Sequence, residues 1–415
     1  ETEKEHEDIL EQADETDAVF GELYSWYLRN PEYRSRVEKL VQSAFAGKPK
    51  DIISQSVAKA LYGEVSPYSA TRLERFAACA FAHFLQYGMK LTERVEYEFK
   101  PMDMGNVMHE ALESFAEEVR KRGMKWTELT EQERNEIADR CLDNIVADYG
   151  NTVLKSSARN EYMIERTRRI LRRTVWALQK QLEQGEFQPE GFEVTFGGGR
   201  IDRVDIMEDQ NKVYVKVIDY KTGNTSFDLV YLYHGLQLQL MIYLDGALRV
   251  EQKKYPDKEI IPAGVFYYNI KDPMIQEKID ADVEAVSAGL MKELKMNGLV
   301  QADPELVYRM DSSLGSIPVS FNKDGNFRKN SSVADRTQFA VLGRYVRTKI
   351  EKIRSSILEG DAEVSPYELG KKNACTYCPY MTVCGFDRRL SGYEFRRLKN
   401  FSDEELWKAF DREAE

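Results

Sequence analysis

The segment Val213-Tyr214-Val215-Lys216-Val217-Ile218-Asp219-Tyr220-Lys221-Thr222-Gly223 constrains this 415-residue chain more than any other. Its β-branched residues and its closing Thr-Gly read as a strand that runs into a turn. Side chains alternate along a strand, so Val213, Val215, Val217, Asp219 and Lys221 share one side, and an apolar stripe ends on a carboxylate and an ammonium. Before the polar turn Glu208-Asp209-Gln210-Asn211 lies a partner strand with Gly199-Arg200-Ile201-Asp202-Arg203-Val204-Asp205. There Asp202 shares a side with Val204 and Ile206, and Asp205 shares the other with Ile201 and Arg203. Two acids and a lysine on the apolar side of a hairpin are costly unless they are paired or hold a metal. An Asp and a Lys two residues apart at a strand end also form simple surface ion pairs. The oddly placed Asp202, together with Gly105-Asn106-Val107-Met108-His109 opening a helix that runs to about Arg122, favours a divalent-cation site. Carboxylates suit Mg²⁺, and an imidazole completes a set for Mn²⁺.

Cysteine usage is a second, independent signal. Cys375-x-x-Cys378-x-x-x-x-x-Cys384 has metal-ligand spacing, and Cys79 is the candidate fourth thiolate from far upstream. Cys141, beside Leu142 and Ile145, reads as a small buried hydrophobe. With no secretory or transmembrane run at the start, a reducing cytoplasm is expected, which disfavours disulfides. Spacing alone does not separate Zn²⁺ from an iron–sulfur cluster.

Asp202 followed by Asp219-Tyr220-Lys221 on a hairpin resembles the core of the PD-(D/E)XK nucleases, and Gly105-x-x-x-His109 upstream resembles their RecB-like branch. Gln239-Leu240-Met241-Ile242-Tyr243 is similar to a third motif of that branch, and its spacing puts Gln239 and Tyr243 on one helical face. One cysteine before this core and three after it resemble the iron-staple nucleases, in which a 4Fe-4S cluster pins the ends of the domain. The likeness runs from about Ser66 to Arg389 and is greatest to the nuclease domains of the AddB family of helicase–nuclease subunits. Smaller CRISPR-associated adaptation nucleases share the motifs but are much shorter.

The resemblance implies an α/β fold: a PD-(D/E)XK restriction-endonuclease-like core, a mixed sheet flanked by helices, with extensive helical additions and a 4Fe-4S staple. His109, Asp202 and Asp219, with the Tyr220 carbonyl, would hold one or two Mg²⁺ or Mn²⁺ ions. Lys221 would orient the nucleophile, and Gln239 and Tyr243 would support the site or touch DNA. Cys79, Cys375, Cys378 and Cys384 would hold the cluster, closing a long loop and lowering the entropy of the unfolded chain. The implied substrate is DNA and the implied partner an AddA-type helicase–nuclease subunit. The implied setting is double-strand break repair in a bacterial cytoplasm, with cutting of the 5′-ended strand. The alternatives are a stand-alone iron–sulfur exonuclease and a non-catalytic DNA-binding scaffold.

Patterning sets an expected layout. Helices are expected near 69–87, 105–122, 130–149, 160–184, 229–248, 280–297, 333–358 and 403–412, and strands near 192–196, 200–207, 213–220 and 262–269. Residues 1–62 read as a helical lead-in from a preceding region, with two or three amphipathic helices over 18–62, and 63–415 as the nuclease domain. The acidic start, Glu1-Thr2-Glu3-Lys4-Glu5, lacks an initiator Met and suggests a fragment of a longer polypeptide. A composition of 42% hydrophobic and 31% charged residues suits a soluble globular chain with a sizeable core. A net charge of −11 is unusual for a DNA-binding protein, although affinity follows local phosphate contacts. Two helices carry basic runs, Arg166, Arg168, Arg169, Arg172, Arg173 and Arg344, Arg347, Lys349, Lys352, Arg354, each of which reads first as a solvated face. No Gly-x-x-x-x-Gly-Lys-Ser/Thr loop, His-Glu-x-x-His helix or Gly-x-Ser-x-Gly elbow occurs, which argues against ATPase, zinc-protease and serine-hydrolase chemistry.

Overall fold

The structure is a computed structural model and describes residues 15–45, 52–63, 69–92, 101–148, 157–197, 199–275, 282–390 and 392–414. Contacts divide the chain into two units, one of residues 1–51 and 385–394 and one of 52–384 and 395–415. In the first, helices Glu15–Arg29 (α1) and Pro31–Phe45 (α2) pack as a hairpin. Its turn is fastened by Trp26 stacked on Tyr33 at 6.3 Å, with Tyr27 edge-on to Tyr33.

The second unit starts with Gln55–Tyr62 (α3), Ala70–Ala78 (α4), Pro101–Lys121 (α5), Glu131–Asp148 (α6) and Ala158–Glu183 (α7). Strands Gln188–Phe196 (β1), Gly199–Asp209 (β2) and Lys212–Lys221 (β3) follow, then Gln239–Lys254 (α8) and Glu259–Asn269 (β4). The chain continues through Asn297–Gln301 (β5), Val333–Ala334 (β6), Arg336–Glu359 (α9) and Asp403–Ala414 (α10). The six strands form one mixed sheet in sequence order. β1–β2, β2–β3 and β4–β5 pair antiparallel, β3–β4 and β5–β6 parallel. Asp209 pairs with Lys212, so the β2–β3 hairpin turns on Gln210 and Asn211, with Gln210 at φ 45°.

Both faces of the sheet are covered. Met108, Leu112, Phe115 and Val119 recur at helical spacing along α5, and with Ile137, Leu142, Leu171 and Leu178 of α6 and α7 they bury Ile218, Tyr220, Phe266 and Tyr268. On the other face α3, α4, α8, α9 and α10 bury Val204, Val213, Val215 and Val217. This is why β3 is apolar on both of its sides along most of its length. Asp219 and Lys221 lie at the end of the second-face stripe that alternation predicts. Ile201 departs from it and packs in the second core, across from Val194, where Glu193 of β1 takes a left-handed φ of 50°.

Several elements differ from the expected layout. The helix expected over 69–87 breaks at Cys79, whose extended backbone (φ −166°, ψ 118°) separates α4 from Ala80–His83. The span 229–248 is a short turn, Leu229–Tyr233, followed by α8. The helix expected over 280–297 is Val283–Glu293 and gives way to β5, a strand with too few residues to show alternation. β5 lies so close to β4 that a Cβ on Gly298 would come 1.9 Å from the Val265 carbonyl oxygen. A small sheet of Tyr367–Leu369, Lys372–Asn373 and Arg396–Arg397 also lacks a sequence signal. α3, assigned from sequence to the lead-in, buries Ala58 and Tyr62 in the second core. Among the described residues no helix is long and apolar enough to cross a membrane.

Inside the sheet, Asp205 accepts two bonds from the Arg203 guanidinium, at 2.6 and 2.9 Å, and lies 3.0 Å from Lys216 Nζ. All three are buried, and the guanidinium also faces the rings of Trp126 and Phe192 at 5.6 and 5.7 Å. Burial opposes the Asp205 charge, but its two cations hold the carboxyl below its ordinary range. Replacing Asp205 by Ala would strand both cations in the core. The expected outcome is a loss of about 3–5 kcal/mol in urea denaturation followed by circular dichroism.

Candidate metal-dependent active site

The register of three strands assembles the site. Arg203 faces Ile218 and Val204 faces Val217, so the same antiparallel register sets Asp202 beside Asp219. On its other edge Phe192 faces Arg203 and Val194 faces Ile201, which brings Glu193 alongside Asp202. Asp202 is fixed by the Tyr220 amide, which donates to its Oδ2 at 2.7 Å. α5 delivers His109, whose Nδ1 lies 3.4 Å from Asp202 Oδ2 and whose ring meets Tyr220 edge-on at 6.1 Å. The helix can approach because residue 105 is glycine: a Cβ there would sit 3.3 Å from Thr222 Oγ1, just past β3.

Among the described residues, His109, Glu193 and Asp202 form the one set of three potential ligands whose donor atoms all lie within 4.8 Å of one another. Asp219, buried, lies next to it on β3. One imidazole nitrogen and several carboxylate oxygens suit Mg²⁺ or Mn²⁺. Glu193 is the member that strand alternation misses, since Phe192, Val194 and Phe196 make it look like a solvent-facing position. Its signals are its cross-strand place opposite Asp202, its left-handed backbone and its ion pair with Arg200.

Electrostatics describe a crowded, negative site. Burial pushes the Asp219 carboxyl up to about 7, with Asp202 adding to the shift and Lys221 opposing it. Burial and the same Asp202 charge raise Glu193 to about 7. Burial works against a charged His109, but its hydrogen bond to Asp202 and the surrounding acids outweigh this and raise its pKa. These shifts mark a cluster of like charges that a bound cation would relieve.

The lysine is tied down on the same side. Lys221 Nζ lies 2.7 Å from Asp219 Oδ2 and donates to Gln239 Oε1 at 2.8 Å. Gln239 Nε2 in turn donates to the Tyr243 hydroxyl at 2.9 Å. The Gln-x-x-x-Tyr pair thus backs the lysine from α8. His109, Asp202, Asp219, Tyr220, Lys221, Gln239 and Tyr243 therefore meet in one place. Glu113 lies near Glu193, Glu110 is exposed, and His234 is outside the site with its Nε2 2.8 Å from the Lys399 carbonyl oxygen.

A separate group forms around the cysteines. Cys79 is buried with Ala82, Leu85 and Tyr380, and Cys378 packs against the same cluster. Asn373 Oδ1 accepts the amides of Cys375 and Thr376, shaping the turn that carries the pair Cys375 and Cys378. Burial pushes the Cys375 thiol up to about 12, and the Cys79, Cys378 and Cys384 sulfurs add to it, so the other three thiols lie within electrostatic reach of Cys375. None of the five cysteines is in a disulfide, and Cys141 is buried in the first core.

The basic runs are engaged elsewhere. Arg168 pairs with Asp143, Glu165 and Asp139; Arg172 pairs with Asp139, and Arg169 with Asp272. On α9, Arg347 pairs with Asp245, Lys352 lies 3.5 Å from Glu413, and Lys349 stacks over Tyr233 and Tyr345.

Residues 67–385 match the PD-(D/E)XK nuclease superfamily. Among curated proteins the chain is similar to the B subunit of the ATP-dependent helicase/deoxyribonuclease of Lachnoclostridium phytofermentans, 41% identical with 96% of this chain and 36% of that protein covered. The corresponding B subunits from Thermoanaerobacter sp. strain X514 and Clostridium acetobutylicum are each 34% identical, over 97% and 96% of this chain and 37% and 36% of their own lengths. The chain thus spans little more than a third of the length of these relatives.

Protons and a divalent cation would compete for this site. Asp219 and Glu193 are raised to about 7, so the stability their protonated forms contribute is present below the ordinary carboxylate range and is lost as pH rises through about 7, and the raised His109 adds in the same direction. The metal-free protein should melt lower at about pH 8 than at about pH 6, and Mn²⁺ should abolish the difference. As pH falls below about 7, Mn²⁺ affinity should drop roughly tenfold per pH unit for each proton displaced, with proton release measured by calorimetry in buffers of different ionisation enthalpy.

Proposed function

The chain belongs to the PD-(D/E)XK nuclease superfamily, and from that membership we propose that it is the Mg²⁺-dependent deoxyribonuclease module of a helicase–nuclease B subunit. The observation that carries the reading is the convergence of His109, Glu193, Asp202, Asp219 and Lys221 at the ends of three paired strands. Bound there, a divalent cation neutralises phosphoryl oxygens and lowers the pKa of an attacking water.

His109, Asp202 and Asp219 would hold the ion, with Glu193 beside them and the Tyr220 carbonyl as a further oxygen. The Lys221 ammonium, held by Gln239 and Asp219, donates to the attacking water and to the phosphoryl oxygen on which charge accumulates. Tyr243 steadies Gln239 and so limits the places the lysine can occupy. The substrate is a DNA strand, taken as the 5′-ended strand of a double-strand break. The relatives' shared name, a helicase/deoxyribonuclease B subunit, supports a helicase–nuclease assembly. In our reading the partner is an AddA-type subunit and the setting a bacterial cytoplasm.

Cys79, Cys375, Cys378 and Cys384 would hold a 4Fe-4S cluster with a structural role. The approach of the other three thiols to Cys375 supports a shared group. Anaerobically purified protein should be brown and carry iron and sulfide; a colourless, zinc-loaded protein would reject the cluster.

The test of the nuclease reading is Asp219→Ala. Mg²⁺-dependent digestion of labelled single-stranded DNA should fall at least about a thousandfold, while the cluster's visible absorption is retained. Digestion by this variant at the wild-type rate would overturn the assignment.

A further inference from the structure

Glu74 belongs to none of the motifs above, yet it lies within the electrostatic reach of Lys221 and Asp219. It projects from α4 toward the start of α8, where its Oε1 accepts the Leu238 amide at 2.7 Å and the Gln239 amide at 2.9 Å. The first amides of a helix need acceptors, and the side chain of Leu238, at the N-cap position, provides none. The cap is supplied instead by a residue more than 160 positions earlier in the chain. What it fixes is the backbone of Gln239, whose side chain accepts the Lys221 ammonium. A carboxylate in this place is costly: burial raises it to about 7 against the pull of the two amides and Lys221.

We propose that Glu74 is a positioning residue for Lys221, holding the first turn of α8 so that Gln239 keeps the lysine amine beside Asp219. The inference rests on the nuclease reading for its kinetic consequence but not for its geometry. The same short helix ends one residue before Cys79, so the segment that carries the cap is anchored at its far end by the cysteine group.

The experiment compares wild type, Glu74→Ala, Glu74→Gln and Glu74→Asp in Mg²⁺-dependent cleavage of labelled single-stranded DNA, with thermal melting and acylation of Lys221 read by mass spectrometry. Glu74→Ala should lower kcat about ten- to a hundredfold with little change in KM. Glu74→Gln keeps an acceptor oxygen and should recover kcat to within about threefold. Lys221 should acylate severalfold faster in the Ala variant than in wild type or the Gln variant, whether or not the protein cuts DNA. Wild-type kcat and wild-type Lys221 reactivity in Glu74→Ala would overturn the proposal, as would a Gln variant as impaired as the Ala variant. Should the Ala variant fail to fold, Glu74→Asp, which withdraws the oxygen by one methylene, must show the same kcat and acylation changes at a normal melting temperature. An inactive wild type would sink the nuclease reading, and the acylation comparison would still decide the role of Glu74.

Discussion

Glu193, Asp202 and Asp219 lie on three neighbouring strands, and like charges at cross-strand spacing repel unless something positive stands among them. Each acid has its own cation at the periphery: Arg200 for Glu193, His109 for Asp202 and Lys221 for Asp219. Those three partners come from a strand, a helix on the first face and the end of the central strand. The site is therefore a joint among elements whose positions are set by packing elsewhere, and the repulsion is sustained by the two helical layers that clamp the sheet.

The same strand carries a second acid with the opposite role. Asp202 and Asp205 are three residues apart on β2 and so point to opposite faces. Asp205 falls into a closed core, where Arg203 and Lys216 satisfy it completely. Asp202 falls at the sheet's rim beside His109, with oxygen capacity to spare. One strand thus combines an internal ion cluster that fastens it to β3 with a carboxylate left available for chemistry.

Much of this was legible in the residues. Alternation located β2 and β3 and the face shared by Asp219 and Lys221, and helical spacing paired Gln239 with Tyr243. Glu193 and Glu74 were not legible, for different reasons. The first becomes a site residue only through the register of β1 on β2, which sequence periodicity does not encode. The second does so through a contact between two helices far apart in the chain. β5 and β6 are too short to show a period and owe their conformation to their neighbours, β5 to β4 and β6 to β5. The arginines of α7 read as a solvated face because their acidic partners, on α6 and in the loop after β4, are distant in sequence.

Cys79 lies before the six-stranded sheet and Cys375, Cys378 and Cys384 after it, yet Cys375 lies within electrostatic reach of the other three sulfurs. On a ribosome, the first thiol emerges while about 300 residues remain to be made before its counterparts appear. Every strand of the sheet has by then left the tunnel or is leaving it. The cysteine contact of this unit therefore forms late, onto a sheet that is already built and before α10, which still has to be made and packed. A chain released early, with its sheet complete but its last three cysteines missing, would keep its acids and its lysine yet lack the thiols that gather near Cys79 at the break after α4.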